Sequence, residues 1–160
     1  MSDEKNLKVH LPSATLGEIK TYLYKEYENG CMCPACNQFV KLYKRKFAST
    51  MAYCLILFVI EARQNNNAPT KFTKFLDQKG VGVSNRADWQ KLVYFKMIIP
   101  DPTMNGFYTV SQLGIDFVEG RKTAPEHVKV YNGKTYGFSI EQLTIKQALK
   151  NKFNIDDLLN

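Results

Sequence analysis

Three cysteines stand close together in Cys31-Met32-Cys33-Pro34-Ala35-Cys36. A soft four-coordinate ion such as Zn2+ needs several thiolates converging at about 2.3 Å, and a CxxC pair on a tight turn delivers two of them. Cys31, two residues before Cys33, can bring a third sulfur to the same ion, with Cys54, His10 or a partner as the fourth ligand. Zn2+ is therefore a candidate cofactor, with Cys31, Cys33 and Cys36 as its ligands. The other reading is a set of free thiols, because a full structural site usually carries two such pairs and no second CxxC or HxxxH follows. Cys54 lies in the apolar stretch MAYCLILF, where a buried, inert thiol is the expected role.

A second kind of chemistry is electrostatic. The run Lys41-Leu42-Tyr43-Lys44-Arg45-Lys46 places four positive charges and an aromatic ring in one short segment. That combination suits a surface that tracks phosphates and stacks a base. It equally suits an edge strand whose lysines prevent edge-to-edge aggregation. Further on, Asn85, Arg86, Gln90 and Lys91 are residue types that bond base edges or phosphates from a helix in the major groove. Their other reading is an ordinary wet helix face, and Asp88 in their midst would repel phosphate. The turn Asp101-Pro102-Thr103-Met104-Asn105-Gly106 contains no lysine or arginine and one carboxylate.

Catalysis finds little support. Neither His10 nor His127 is flanked by a nucleophile or carboxylate that would complete an acid–base pair. No GxxxxGK or GxGxxG loop occurs, and Asp156-Asp157 reads as a solvated terminal turn. The expectation is a protein without enzymatic activity.

The elements that would carry these residues follow from periodicity and turn signals. Leu16, Ile19, Leu23 and Tyr27 predict an amphipathic helix from about Thr15 to Glu28, stopped by Asn29-Gly30. After the cysteine knuckle and a basic strand, Ser49 or Thr50 can cap an apolar helix ending near Arg63-Gln64. Thr70 to Gln78 is a second helix. Asn85 to Lys96, capped by Ser84, is a third, with Trp89, Leu92, Val93 and Phe95 facing inward. Met97 to Pro100 and Phe107 to Val110 flank the turn at 101–106 as a hairpin, and Ser111 caps a closing helix, Gln112 to Glu119. Three helices with a two-stranded wing and a closing helix predict an α+β winged-helix core. The tail adds a hairpin around Asn132-Gly133 and a short helix from about Thr144 to Asn151.

The chain of 160 residues, 44% hydrophobic, is read as a single domain over 1–160. Within it, 1–47 holds the N-terminal helix, knuckle and basic strand, 48–120 the winged-helix core, and 121–160 the C-terminal hairpin and helix. No secretory leader is expected from MSDEKNLKVHLPS, and the apolar run from Met51 to Ala62 is shorter than the roughly 20 residues that span a bilayer. A reducing, cytoplasmic setting follows. The net charge of +7 is concentrated in the middle of the chain, with +4 in residues 31–64, +4 in 65–100 and zero in 101–160. An anionic partner would be attracted there.

Several motifs together resemble a family of tailed-phage proteins. They are Cys33-Pro34-Ala35-Cys36 followed by the 41–46 run, Asp88 to Ile98 (DWQKLVYFKMI), Phe107-Tyr108-Thr109-Val110 with Gly114, and Tyr131-Asn132 to Gly137-Phe138-Ser139, closing on Asp156-Asp157-Leu158. The resemblance covers most of the chain from Cys33 to Leu159. It implies a phage origin, and hence the cytoplasm of a bacterial host, with a winged-helix core and a small cysteine knuckle. The family pattern has the single CxxC pair, so Cys31 and Cys54 are additions here. The expected partner is double-stranded DNA, bound by a regulator or accessory factor through Lys41, Lys44, Arg45, Lys46, Asn85, Arg86, Gln90 and Lys91. The alternative is a protein-interaction module for a host or phage protein, for example an inhibitor of a host defence, and a homodimer is a further expectation. No membrane partner is expected.

Overall fold

The computed structural model describes residues 13–160, so His10 lies outside the described residues. The architecture is mixed α+β with small antiparallel sheets. By internal packing the chain falls into two units. One comprises the described residues of Met1–Lys44 with Lys129–Tyr136, the other Arg45–Val128 with Gly137–Asn160.

In the first unit, Thr15 opens helix α1 (Leu16–Glu26) with a reciprocal cap. Its hydroxyl accepts from the Glu18 amide at 3.3 Å, and the Glu18 carboxylate accepts from the Thr15 amide at 2.7 Å. The helix ends two residues earlier than its sequence pattern predicts. Gly30, at φ +90°, then turns the chain into β1 (Cys31–Met32), which pairs antiparallel with β2 (Phe39–Val40), Cys31 opposite Val40. Cys31, Cys33 and Val40 form a small buried cluster against which Ile19, Tyr22, Leu23, Tyr27 and Tyr131 pack. The apolar stripe of α1 thus has a partner, but Leu16, expected within it, is exposed.

The strand β3 (Tyr43–Lys46) follows, and all four of its residues are exposed. It is one edge of a three-stranded sheet of order β3-β7-β8, with β7 at His127–Tyr131 and β8 at Lys134–Phe138. The turn joining the last two strands holds Asn132 and Gly133 at φ 47° and 71°, the left-handed pair that a two-residue hairpin needs.

The second unit is organised around α2 (Ser49–Gln64). Met51, Ala52, Cys54, Leu55, Ile56, Phe58 and Val59 have no exposed surface, so the helix is apolar nearly all round and buried accordingly. Its N-cap is Ala48 rather than Ser49 or Thr50, and the Thr50 hydroxyl instead donates to the Ala87 carbonyl at 3.0 Å. A bridge at Thr70 to Tyr108 precedes α3 (Phe72–Gln78). Strands β4 (Ile98–Pro100) and β5 (Tyr108–Val110) form the expected hairpin, Ile98 opposite Val110. Ser111 caps α4 (Gln112–Val118) through the Gly114 amide. Short strands β6 (Ala124–Pro125) and β9 (Gln142–Leu143) pair with each other. Two terminal helices, α5 (Ile145–Leu149) and α6 (Ile155–Leu159), pack with α4 on α2.

The predicted helix from Asn85 to Lys96 is absent. In its place stand two 3-10 turns, Val83–Asn85 and Trp89–Val93, separated by Asp88 at φ 66°. The hydrogen bonds step back three residues, from the Lys91 amide to Asp88, from Tyr94 to Lys91 and from Lys96 to Val93. Trp89, Leu92 and Phe95 are nonetheless buried, because a spacing of three keeps them on one side of a tighter coil. Among the described residues no helix is long and apolar enough to cross a membrane.

Candidate nucleic-acid surface and thiol pair

Loss of the third helix changes what Asn85, Arg86, Gln90 and Lys91 can do. They are no longer successive turns of one rod that could enter a major groove. Asn85 is half-buried, and its carbonyl accepts from the Cys54 thiol at 3.6 Å. Arg86 is ion-paired with Asp77, and Lys91 with Asp88 at 2.6 Å. Exposed pairs of this kind are worth about 0–1 kcal/mol, so a phosphate could displace them, but each cation meets its phosphate already neighboured by a carboxylate. Gln90 alone of the four is fully exposed.

The hairpin β4-β5 adds no positive charge. Its Asp101 is used internally, since one carboxylate oxygen accepts from the Thr103 amide at 2.9 Å, the Thr103 hydroxyl at 2.8 Å and the Met104 amide at 2.8 Å. These donors hold the carboxyl below its usual range. Ile99 and Met104 leave apolar surface exposed on the same hairpin.

The basic run is presented differently. Lys44, Arg45 and Lys46 are exposed on β3, Lys41 is half-buried before it, and Leu42 between them is buried as an anchor. The pleat puts Lys44 and Lys46 on one face of the strand and Tyr43 and Arg45 on the other. Lys44 also borders a hollow of about 210 Å3 with Glu28, Asn29, Leu42 and Lys129. Glu28 accepts from the Lys129 ammonium at 2.8 Å, and that bond, with the charges of Lys129 and Lys44, keeps its carboxyl below the usual range.

One basic feature escapes the sequence reading. Lys71 and Lys74 border a hollow of about 440 Å3 beside Phe75 and Phe107, with Glu61 on its rim. Its only sequence signal was the spacing of the two lysines, since Phe107 comes from the far side of the hairpin.

The cysteines divide by environment. Cys31 and Cys33 are buried, Cys36 is exposed, and burial among apolar neighbours pushes the Cys54 thiol up to about 12. The Cys33 sulfur accepts backbone N–H groups of Cys36 and Ala35 and has the Cys36 thiol beside it, which holds Cys33 below the ordinary thiol range. Burial moves Cys31 the other way. Among the described residues no group of three or more His, Cys, Asp or Glu side chains is placed to hold a metal ion. Cys33 and Cys36 would supply two of the four ligands of a tetrahedral shell. In the C-terminal segment Ile155 is buried and Leu159 exposed, so the two do not form a joint apolar patch.

Comparison with family models, with curated proteins and with solved structures finds no match for this chain.

Proposed function

We propose that this is a winged-helix protein of phage type that holds nucleic acid by its phosphate backbone, through the basic strand β3, and not by a helix in the major groove. The element order of the second unit supports the winged-helix reading. Helix α2 is followed by the Thr70 bridge, α3, the 3-10 segment, the β4-β5 hairpin and α4, with Thr70 adding a third short partner to the hairpin through Tyr108. The motif resemblance to tailed-phage proteins supports the origin.

The observation that carries the binding mode is a contrast. Lys44 and Lys46 are exposed on a regular strand, whereas Arg86 and Lys91 are each held by a carboxylate on irregular backbone. Phosphate contacts position a protein on nucleic acid without reading bases, so the proposal is for charge-driven binding with little sequence preference. The test is binding to labelled duplexes of several unrelated sequences. Lys44→Glu/Lys46→Glu should lower affinity for all of them alike, while Arg86→Gln/Lys91→Gln stays near wild type. Loss of binding in the second variant alone would refute the assignment.

One observation favours a second reading, a protein-interaction module. Ile99 and Met104 expose apolar surface on a hairpin that carries no lysine or arginine between its strands. Absence of nucleic-acid binding at low salt would direct the search to protein partners of that hairpin.

A further inference from the structure

We propose that the hollow between α3 and the β4-β5 hairpin holds one nucleotide, its phosphate on Lys71 and Lys74 and its base against Phe107. Binding there is independent of the nucleic-acid reading of β3.

The backbone brings these groups together. Thr70 and Tyr108 exchange both amide–carbonyl bonds, at 2.9 and 3.0 Å, which sets Lys71 opposite Phe107. Side chains alternate along extended backbone, so Tyr108 turns to one face and Phe107 to the other. On its own face the Tyr108 ring meets Phe72 and Trp89, at centroid distances of 5.7 and 5.2 Å. Phe107 is half-buried and has no ring partner among the described residues. The Lys71 side chain lies beside the hairpin turn, where a Cβ at Gly106 would stand 3.9 Å from its Cε. Spacings of three and four then carry Lys74, Phe75 and Gln78 to the same side of α3 as Lys71. These residues and Phe107 border the hollow of about 440 Å3, and Glu61 joins them from α2. Small-molecule sites occupy about 300–1,000 Å3, so one nucleotide is of a suitable size.

The charges point to the chemistry of the ligand. Lys71 and Lys74 are exposed, and among the described residues neither has an ion-pair partner, while Arg63, Arg86, Lys91, Arg121 and Lys129 each have a carboxylate. Two ammonium groups three residues apart on one side of a helix suit a phosphate. A ring without a stacking partner suits a base, because every base has a face to stack. A bare anion would leave Phe107 unused and would be repelled by Glu61. That carboxylate is half-buried and also lacks an ion-pair partner among the described residues. It can only accept hydrogen bonds when ionised, and the sugar hydroxyls or base N–H groups of a nucleotide supply the donors.

The experiment follows the amide shifts of isotope-labelled full-length protein titrated with inorganic phosphate, with adenosine 5′-monophosphate and with a 5′-phosphorylated single-stranded oligonucleotide. The oligonucleotide is added to Lys44→Glu/Lys46→Glu protein, so that β3 cannot hold it and failure of the β3 reading stays distinguishable. At least one nucleotide probe should give saturable shifts centred on Lys71, Lys74 and Phe107, and the tighter of the two identifies a free nucleotide or a strand end as the source. Lys71→Gln/Lys74→Gln should abolish these shifts. Phe107→Leu, which keeps apolar bulk without a ring, should weaken the nucleotide about tenfold and leave inorganic phosphate unchanged. Glu61→Gln should weaken the nucleotide while strengthening phosphate. Absence of saturable shifts at the hollow with both nucleotide probes would overturn the proposal, as would a nucleotide that binds Phe107→Leu as it binds wild type. So would Glu61→Gln strengthening nucleotide and phosphate alike, the result of a simple anion site. The wild-type titrations decide the matter even if a variant fails to fold, and shifts away from the hollow check each variant.

Discussion

The side-chain amide of Asn67 binds the backbone of Val110 at both ends, its nitrogen donating to the Val110 carbonyl at 2.8 Å and its oxygen accepting from the Val110 amide at 2.9 Å. Asn67 itself sits at φ 55°, a left-handed conformation that asparagine tolerates, and it extends by side chain the pairing that Thr70 makes with Tyr108 by backbone. Replacement by alanine leaves the Val110 groups without these partners, at a cost of about 1–3 kcal/mol. Urea unfolding of Asn67→Ala should show a lower midpoint with an unchanged slope, and faster hydrogen exchange at the Val110 amide.

Gly114 lies where the backbone of α4 comes close against the end of β4. A methyl group there would lie 2.5 Å from the Met97 carbonyl oxygen, the acceptor that also receives the Ser111 amide at 2.9 Å. Helix α4 can sit on the end of β4 only because this residue has no side chain. Gly114→Ala should destabilise by about 1–3 kcal/mol as the helix is pushed off, despite alanine's better helix propensity. Thermal unfolding checks the sign.

The hairpin loop should be sensitive to acid. The carboxyl of Asp101 titrates below its ordinary value because the Thr103 and Met104 amides and the Thr103 hydroxyl donate to it. Its contribution to the loop is therefore complete above the unfolded value of about 3.9 and is lost as pH falls through the lower folded value. Corrected for intrinsic exchange, protection of the Thr103 and Met104 amides should be constant from neutral pH to just above that range and decline below it. In Asp101→Ala the protection should be low at every pH.

Removing the acid beside Lys44 should strengthen binding. Glu28 engages Lys129 and lies close enough to Lys44 to feel its charge. Glu28→Gln should raise duplex affinity severalfold and steepen its salt dependence, because a carboxylate that repels phosphate is gone. Unchanged affinity would mean that the Lys44 face does not meet the nucleic acid.

Local signals carried much of this fold. Asn132-Gly133 specifies its hairpin because both residues accept positive φ, and Ser111 specifies the start of α4 through a hydroxyl acceptor at the right spacing. The 3-10 segment was legible in part, since Trp89, Leu92 and Phe95 recur every three residues, whereas an α-helical stripe alternates three and four. What the spacing could not reveal is that Asp88 takes the left-handed conformation and divides the segment. Pairings set by tertiary structure were equally hidden, among them Arg86 with Asp77 and Phe107 beside Lys71 and Lys74. The basic strand was readable as charge, but its exposure along the whole of Tyr43–Lys46 was not. The cysteine spacing announced a knuckle, while the separation of buried Cys31 and Cys33 from exposed Cys36 depends on how α1 covers the hairpin.

The most direct test of the central claim is the salt dependence of binding to a labelled random-sequence duplex, comparing wild type with Lys44→Glu/Lys46→Glu. The account predicts a steep fall of affinity with salt for wild type, and a slope of log affinity against log salt that is shallower by about 2 in the variant, one for each lost phosphate contact. Wild type that fails to bind at low salt, or a variant with the same slope as wild type, would contradict it.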